Sequence, residues 1–233
     1  MRTFLTGLLL SSLLAAGLLA GSDAGLEKLR DRQDRAGLEK AAASLQADAE
    51  KSPNDADKWY RAAIAYSFIA EVTYELRDKP ASEKAAEAGV KDADKAIALN
   101  GKNADYYRVL GTLCGQVIPA NPLMGALAYG KRAKDALEQA IQMDPKSASA
   151  RVAHGVGFYY LPASFGGGPD NAIKDYQEAI RLDPKSAEAY LWMGIAYSKQ
   201  HQVPQAREAL KKSLQLDPDR LWAKQELDKL PAS

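Results

Sequence analysis

Asp144–Ala150 reads DPKSASA, and Asp183–Ala189, 39 positions later, reads DPKSAEA, with six of seven residues the same. A third Asp-Pro, Asp217-Pro218, follows 34 positions after the second. Each marker ends a run of one kind (AIQMDP, AIRLDP, SLQLDP), and AIALNG at Ala96–Gly101 fills the slot again with Gly101 in place of proline. Proline cannot continue a helix and a short polar residue before it favours a turn, so the marker punctuates a series of helices. Ten residues beyond successive markers stand Ala63, Gly111, Gly155 and Gly194. A small side chain at a fixed offset lets two helices cross closely.

Punctuation at roughly 34-residue intervals resembles the tetratricopeptide repeat (TPR) family, whose unit is two antiparallel helices, A and B. Residues 187–220 match that pattern without a gap, through Tyr190, Met193-Gly194, Tyr197, Ala206, Leu210, Ser213 and Pro218. Trp59, Ala63 and Tyr66 open an earlier unit, Tyr107, Leu110 and Gly111 a second, and Gly155 and Phe158 a third. The resemblance spans residues 37–220 and implies an all-α fold, a right-handed TPR superhelix of antiparallel helix pairs with insertions in the A–B turns. Its units fall at 54–101, 102–145, 146–184 and 185–218. Residues 25–53 read as an N-terminal cap or half repeat, and 219–233, with Leu221, Trp222, Leu227 and Leu230 among charges, as a C-terminal cap. One unit cannot bury its own apolar face, so stacking builds the core.

Thirty-one Lys and Arg against 30 Asp and Glu leave a net charge of +1, which argues against a nucleic-acid partner that a basic surface would serve. A single cysteine, Cys114, excludes an intramolecular disulfide and a multi-cysteine metal site, so the fold rests on packing. Arg2, the apolar run Phe4–Ala20 and the small residues Gly21, Ser22 and Ala24 follow the order of a secretory signal peptide. We therefore expect residues 1–24 to be a signal, the mature chain to be periplasmic or secreted, and no membrane span to remain. The rival reading is an N-terminal membrane anchor.

Marker spacings of 48, 44, 39 and 34 exceed a unit of about 34 by 14, 10, 5 and 0 residues. In each case the excess lies between the helix-A motif and the helix-B alanine, so the insertions are expected on one rim. The first, Ser67–Ala86, reads as a lengthened helix A that ends near Arg77, with Pro80 breaking it. The second, Gln116–Lys131, and the third, Tyr159–Pro169, read as loops rich in proline, glycine and apolar residues. Leu123, Met124, Leu161 and Phe165 are unusually apolar for exposed turns and should pack together, shape a pocket or meet another subunit.

The YLPASFGGG loop followed by AIKDYQEAI also resembles the exported T components of TRAP transporters. That resemblance implies self-association and contact with a solute-binding protein. The TPR resemblance implies a protein or peptide partner in a concave groove lined by helix A. Carried onto this chain, the groove residues are Tyr60, Ile64 and Phe68; Arg108 and Thr112; Val156, Tyr159 and Tyr160; and Leu191 and Ile195, with Phe165 from the third loop beside them. The set is apolar and aromatic, and lacks the Lys–Asn pattern that clamps a C-terminal carboxylate. Several of these positions suit packing under neighbouring helices equally well.

No catalytic residue, cofactor or metal site is expected. Gly166–Gly168 has no Gly-Lys-Ser/Thr after it, so it reads as a turn rather than a phosphate loop. His154 and His201 lack a second ligand nearby, and Cys114 falls in a packing slot where a buried, inert thiol is expected. The leading reading is an exported scaffold that holds a partner; the transport accessory comes second and an enzyme third.

Overall fold

A computed structural model describes residues 23–119 and 122–231, so the apolar segment read as a signal lies outside the described residues. Two front helices, α1 (Asp23–Asp31) and α2 (Arg35–Lys51), precede the repeats. The first pair is α3 (Ala56–Glu75) and α4 (Lys79–Leu99). The second is α5 (Ala104–Val117) with a broken partner: α6 (Pro122–Gly125), a π turn (Ala126–Gly130) and α7 (Lys131–Met143). The third is α8 (Ala148–Tyr160) and α9 (Pro169–Leu182), and the fourth α10 (Ala187–Lys199) and α11 (Val203–Leu216). A last helix, α12 (Leu221–Asp228), closes the chain.

The repeated DPKS marker is a stop, a turn and a start. Asn100, Asp144, Asp183 and Asp217 leave helix B with extended backbone, φ between −133° and −148°. Each side chain then accepts the N–H two residues on, at 2.9–3.2 Å, the local bond that makes Asp and Asn turn formers. Ser147 and Ser186, three residues past the aspartate, accept the N–H of Ala150 and Ala189 and so cap the next helix. Asp34, Asp55, Asp78 and Asn103 cap α2, α3, α4 and α5 in the same way.

The A–B turns after α1, α3 and α10 share another stop. Gln33, Arg77 and His201 take the left-handed conformation at φ 53°, 65° and 60°. The N–H of the next residue reaches back to the carbonyls of Leu29, Thr73 and Tyr197 at 2.8–2.9 Å, the closing bond of a Schellman motif, which usually carries glycine.

The insertions do not all form loops. In the first unit α3 has 20 residues and α4 has 21, against 13 and 14 in the uninserted fourth pair. The 14-residue excess is therefore about two turns up and two turns down, and Pro80 sits in the first turn of α4, where its missing N–H costs nothing. The second insertion, read as a loop, is mostly helix: helical backbone runs from Pro122 through the π turn into α7. Pro122 opens this helix rather than breaking one.

Among the described residues only the third insertion is a loop, around a 3-10 turn at Ala163–Phe165. Its glycines are required there: Gly166 and Gly168 have φ of 80° and 105°, and a Cβ on Gly167 would lie 2.0 Å from the Leu161 carbonyl oxygen.

Burial follows the repeat. One core cluster links α1–α5 and α7 through Leu26, Leu38, Val72 and Leu113; a second links α8–α12 through Tyr176, Leu191, Leu210 and Ala223. Each fully buried leucine contributes roughly 1.5–3 kcal/mol. No helix of the described residues is long and apolar enough to cross a membrane.

Candidate interaction site in the concave channel

Ile64, Phe68, Glu71 and Glu75 follow one another at helical spacing on α3. The stripe starts apolar and turns acidic where the helix runs past the length of an ordinary repeat. The extra turns carry Glu71 and Glu75 across the concave side to Arg220, in the turn before α12. Arg220 has 1% of its side chain exposed and donates through Nη2 to Glu75 at 2.8 Å and to Glu71 at closer range. Its Nε lies 3.7 Å from both Asp31 and Glu188. Arg30 joins by chelating Asp31 at 2.7 and 2.9 Å, with its guanidinium 4.9 Å from the Phe68 ring centroid.

The turn after α1 and the segment around α12 therefore meet. Arg32 pairs with Asp219 at 2.8 Å, and Gln33 and Gln225 exchange amide hydrogen bonds at 3.0–3.1 Å. Burial raises the Glu71, Glu75 and Asp31 carboxyls above their ordinary range, although arginines pull each of them back. Four carboxylates around two guanidinium groups, mostly out of water, explain that direction.

The ionic cluster joins α1, the end of α3, α10 and the turn before α12. Beside it lies a cavity of about 380 Å³ between the ends of α3, α8 and α12 and the side of α10. Its walls are Tyr74, Tyr159, Tyr160, Trp192, Trp222 and Ile195. The rings meet edge to face: Tyr159–Tyr160 at 5.0 Å and 90°, Tyr74–Tyr160 at 6.4 Å and 87°, Trp192–Trp222 at 5.0 Å and 84°. Such contacts add about 0.5–1.5 kcal/mol per pair beyond area, so the walls are rigid. Trp192 and Trp222 are fixed further by Nε1 bonds to Glu188 and Glu226 at 2.9 and 3.0 Å. At the mouth stand Arg77, Lys79, Glu226 and Lys229.

The structure divides the groove residues expected from the sequence. Tyr159, Tyr160 and Ile195 line the cavity, and Tyr160 is 41% exposed. Leu191 has no exposed surface, and Ile64 and Ile195 are buried in the two cores, because α1 and α12 fold over the channel. Phe68 and Val156 are half-buried against the same cores. Tyr60 and Arg108 meet through Asp105, which accepts from both, and Tyr60 stacks on Tyr106 at 4.8 Å. Burial raises the Asp105 carboxyl, but the Arg108 and Tyr60 hydrogen bonds outweigh it and hold it below its ordinary value. Thr112 is partly buried, and its hydroxyl is buried without a hydrogen-bond partner among the described residues. Phe165 is 75% exposed in the third insertion, and Leu123, Met124 and Leu127 are exposed in the second at 72%, 59% and 74%.

Cys114 is buried, and burial pushes its thiol up to about 11. His154 holds Asp175 at 2.7 Å with Phe158 edge-on, and His201 is the left-handed residue of its turn. Among the described residues no group of His, Cys, Asp and Glu could hold a metal ion.

The sequence reading has the lengthened helix ending near Arg77 and the C-terminal cap, but it named none of Glu71, Tyr74, Glu75, Arg77, Arg220, Trp222 and Glu226 as site residues. The signal for Glu71 and Glu75 was available, since residues 64, 68, 71 and 75 keep one helical face. Arg220 carried no local signal, because its partners lie 145 and 149 residues away.

Residues 26–231 match the family described as regulator of microtubule dynamics protein 1-3 (RMD1-3). The chain belongs to this family. A comparison with curated proteins gave no match. Among solved structures the RMD1-3 chain is similar to TTC0263, a thermophilic TPR protein of Thermus thermophilus, at 16% identity over 83% of this chain and 90% of that one, with a TM-score of 0.60. It is also similar to the HusA haemophore of Porphyromonas gingivalis, at 18% identity over 74% of this chain and 93% of that one, with a TM-score of 0.55. These likenesses show the fold, which is that of TPR proteins. The resemblance to T components of TRAP transporters finds no support in these comparisons.

Proposed function

We propose that this RMD1-3 chain is a scaffold that holds a protein partner at the mouth of the concave channel. The observation that carries the reading is the aromatic cavity between α3, α8, α10 and α12. Ligand sites are usually clefts of about 300–1,000 Å³ lined by apolar and aromatic side chains with a few placed polar groups; this cavity, at about 380 Å³, sets six aromatic or aliphatic residues against five charged ones. Exposed Leu123, Met124 and Leu127 in the second insertion, and Phe165 in the third, add apolar surface outside the cavity. The apolar segment Phe4–Ala20 supports export, which would place the partner outside the cytoplasm. A cut after Ala20 would leave α1 whole, whereas one after Ala24 would remove its first residues, including Asp23, which lies 3.8 Å from Arg61.

Photo-cross-linking tests the reading. A photoreactive residue at Tyr160 should give a discrete adduct in a periplasmic extract, identified by mass spectrometry, and one at the exposed Lys146, in the turn before α8, should not. Adducts of equal yield from both positions, or none from Tyr160, would remove the cavity from consideration.

A further inference from the structure

The polar groups at the cavity mouth are unequally satisfied. Both carboxylates that reach it are already paired with cations: Glu75 accepts from Arg220 and Gln33, and Glu226 accepts from Trp222 and Lys229. Arg77 and Lys79 line the same mouth and have no hydrogen bond or ion pair from their side chains among the described residues. Asp78 between them is taken by Arg35 at 2.8 Å. The phenols add donors. Tyr160 donates to the Tyr74 oxygen at 3.3 Å, which leaves the Tyr74 proton to point elsewhere. Burial raises Tyr159 to about 12 and Tyr160 further, so these hydroxyls keep their protons near neutral pH. Behind these groups lie walls of tyrosine and tryptophan, suited to a flat ring presented edge or face on.

We infer that the cavity takes an acidic peptide segment of a partner protein, with an aromatic side chain inserted among Tyr74, Tyr160 and Trp192 and neighbouring carboxylates held by Arg77 and Lys79. This rests on the interaction reading above and names the chemistry of its partner. The charge complementarity is local: the chain as a whole carries only +1, whereas the mouth offers two cations without counter-charges among the described residues. Arg77 takes the left-handed position in the turn that follows α3, and its side chain lines the cavity.

Two of the three tryptophans, Trp192 and Trp222, stand in the cavity wall, so intrinsic fluorescence reports occupancy directly. The full chain is titrated with the blocked peptides DEFDE, DEADE and KKFKK, and with dodecanoate. The inference expects DEFDE to quench or shift the emission saturably, DEADE and KKFKK to bind much more weakly, and the DEFDE signal to weaken with added salt. The exposed pair of changes Arg77→Glu and Lys79→Glu should weaken DEFDE by about tenfold, as expected for reversing two solvent-exposed ion pairs. Circular dichroism checks that this variant keeps its fold. Equal binding of KKFKK, indifference to the charge reversal, preference for dodecanoate over every peptide, or no response to DEFDE would each overturn the inference. A cross-link through Tyr160 together with failure of DEFDE would reject the acidic partner alone and leave the scaffold reading standing.

Discussion

Arg220, just before the last helix, donates at 2.8 Å to Glu75 at the end of α3, 145 residues earlier in the chain. This contact turns an open row of repeats into a closed one. Its partner Glu71 shares α3 with Glu75, and Asp31 and Glu188 come from two more places in the sequence.

Removing Arg220 should therefore destabilise strongly. Breaking a buried pair leaves an uncompensated charge and costs about 3–5 kcal/mol. Arg220→Met is expected to lower the urea midpoint accordingly. Adding Glu71→Gln and Glu75→Gln to it should restore much of the loss, because buried amides, unlike the acids, stay neutral at every pH without an arginine beside them. A triple variant no more stable than the single one would show that packing, not charge, is what Arg220 supplies.

The same cluster sets a pH dependence. Burial, opposed by Arg220 and Arg30 and reinforced by Glu188 and Glu75, raises Glu71 from 4.5 to about 8. Between those values the folded state holds more protons than the unfolded one, so stability from this group is present at acid pH and is lost as pH rises toward 8. Urea unfolding at pH 5, 6.5 and 8 should show falling stability, and Glu71→Gln should flatten the slope. An unchanged slope in that variant would rule out Glu71 as its source.

Gly155 tests the small-residue spacing read from the repeats. A Cβ there would lie 2.5 Å from the Tyr176 ring and 3.1 Å from the Asp175 Cβ. Alanine gains up to about 1 kcal/mol in helix propensity, but forcing a methyl into a packed crossing costs about 1–3 kcal/mol. Packing should win, so Gly155→Ala is expected to lower the melting temperature. A rise would mean that α8 and α9 can separate without cost.

His201 offers the opposite change. It occupies a left-handed position at φ 60°, where a side chain costs roughly 1–2 kcal/mol. Glycine removes that strain but adds about 0.5–1 kcal/mol of unfolded-state entropy. The net expectation for His201→Gly is stabilisation of up to about 1 kcal/mol, read by thermal melting, with no loss of helix by circular dichroism. A clear destabilisation would show that the imidazole makes a contact that outweighs the backbone strain.

Leu191 separates groove from core. Its place on helix A makes it a groove candidate, yet it is fully buried. Leu191→Ala should cost about 2–5 kcal/mol in stability. At a pH and temperature where the variant stays folded, cross-linking through Tyr160 should persist. Loss of the cross-link from a fully folded variant would return Leu191 to the binding surface.

The sequence by itself determined the helices, their pairing and their phase. DPKS ends one helix and caps the next through bonds spanning two or three residues, and the small residues at Ala63, Gly111, Gly155 and Gly194 fix where partners cross. These are local interactions, so they are written locally. The amount of inserted chain was equally legible, but not its form: Gln116–Lys131 carries loop-forming residues, yet Pro122 lies at a helix start, where proline is tolerated. Only the tertiary structure decided which concave residues are core and which are surface. That depended on the turn after α1 and the segment around α12 meeting through Arg32 and Asp219, 187 residues apart, and on Arg220 reaching Glu71 and Glu75, 149 and 145 residues away. Contacts so distant leave no periodic trace for a sequence pattern to show.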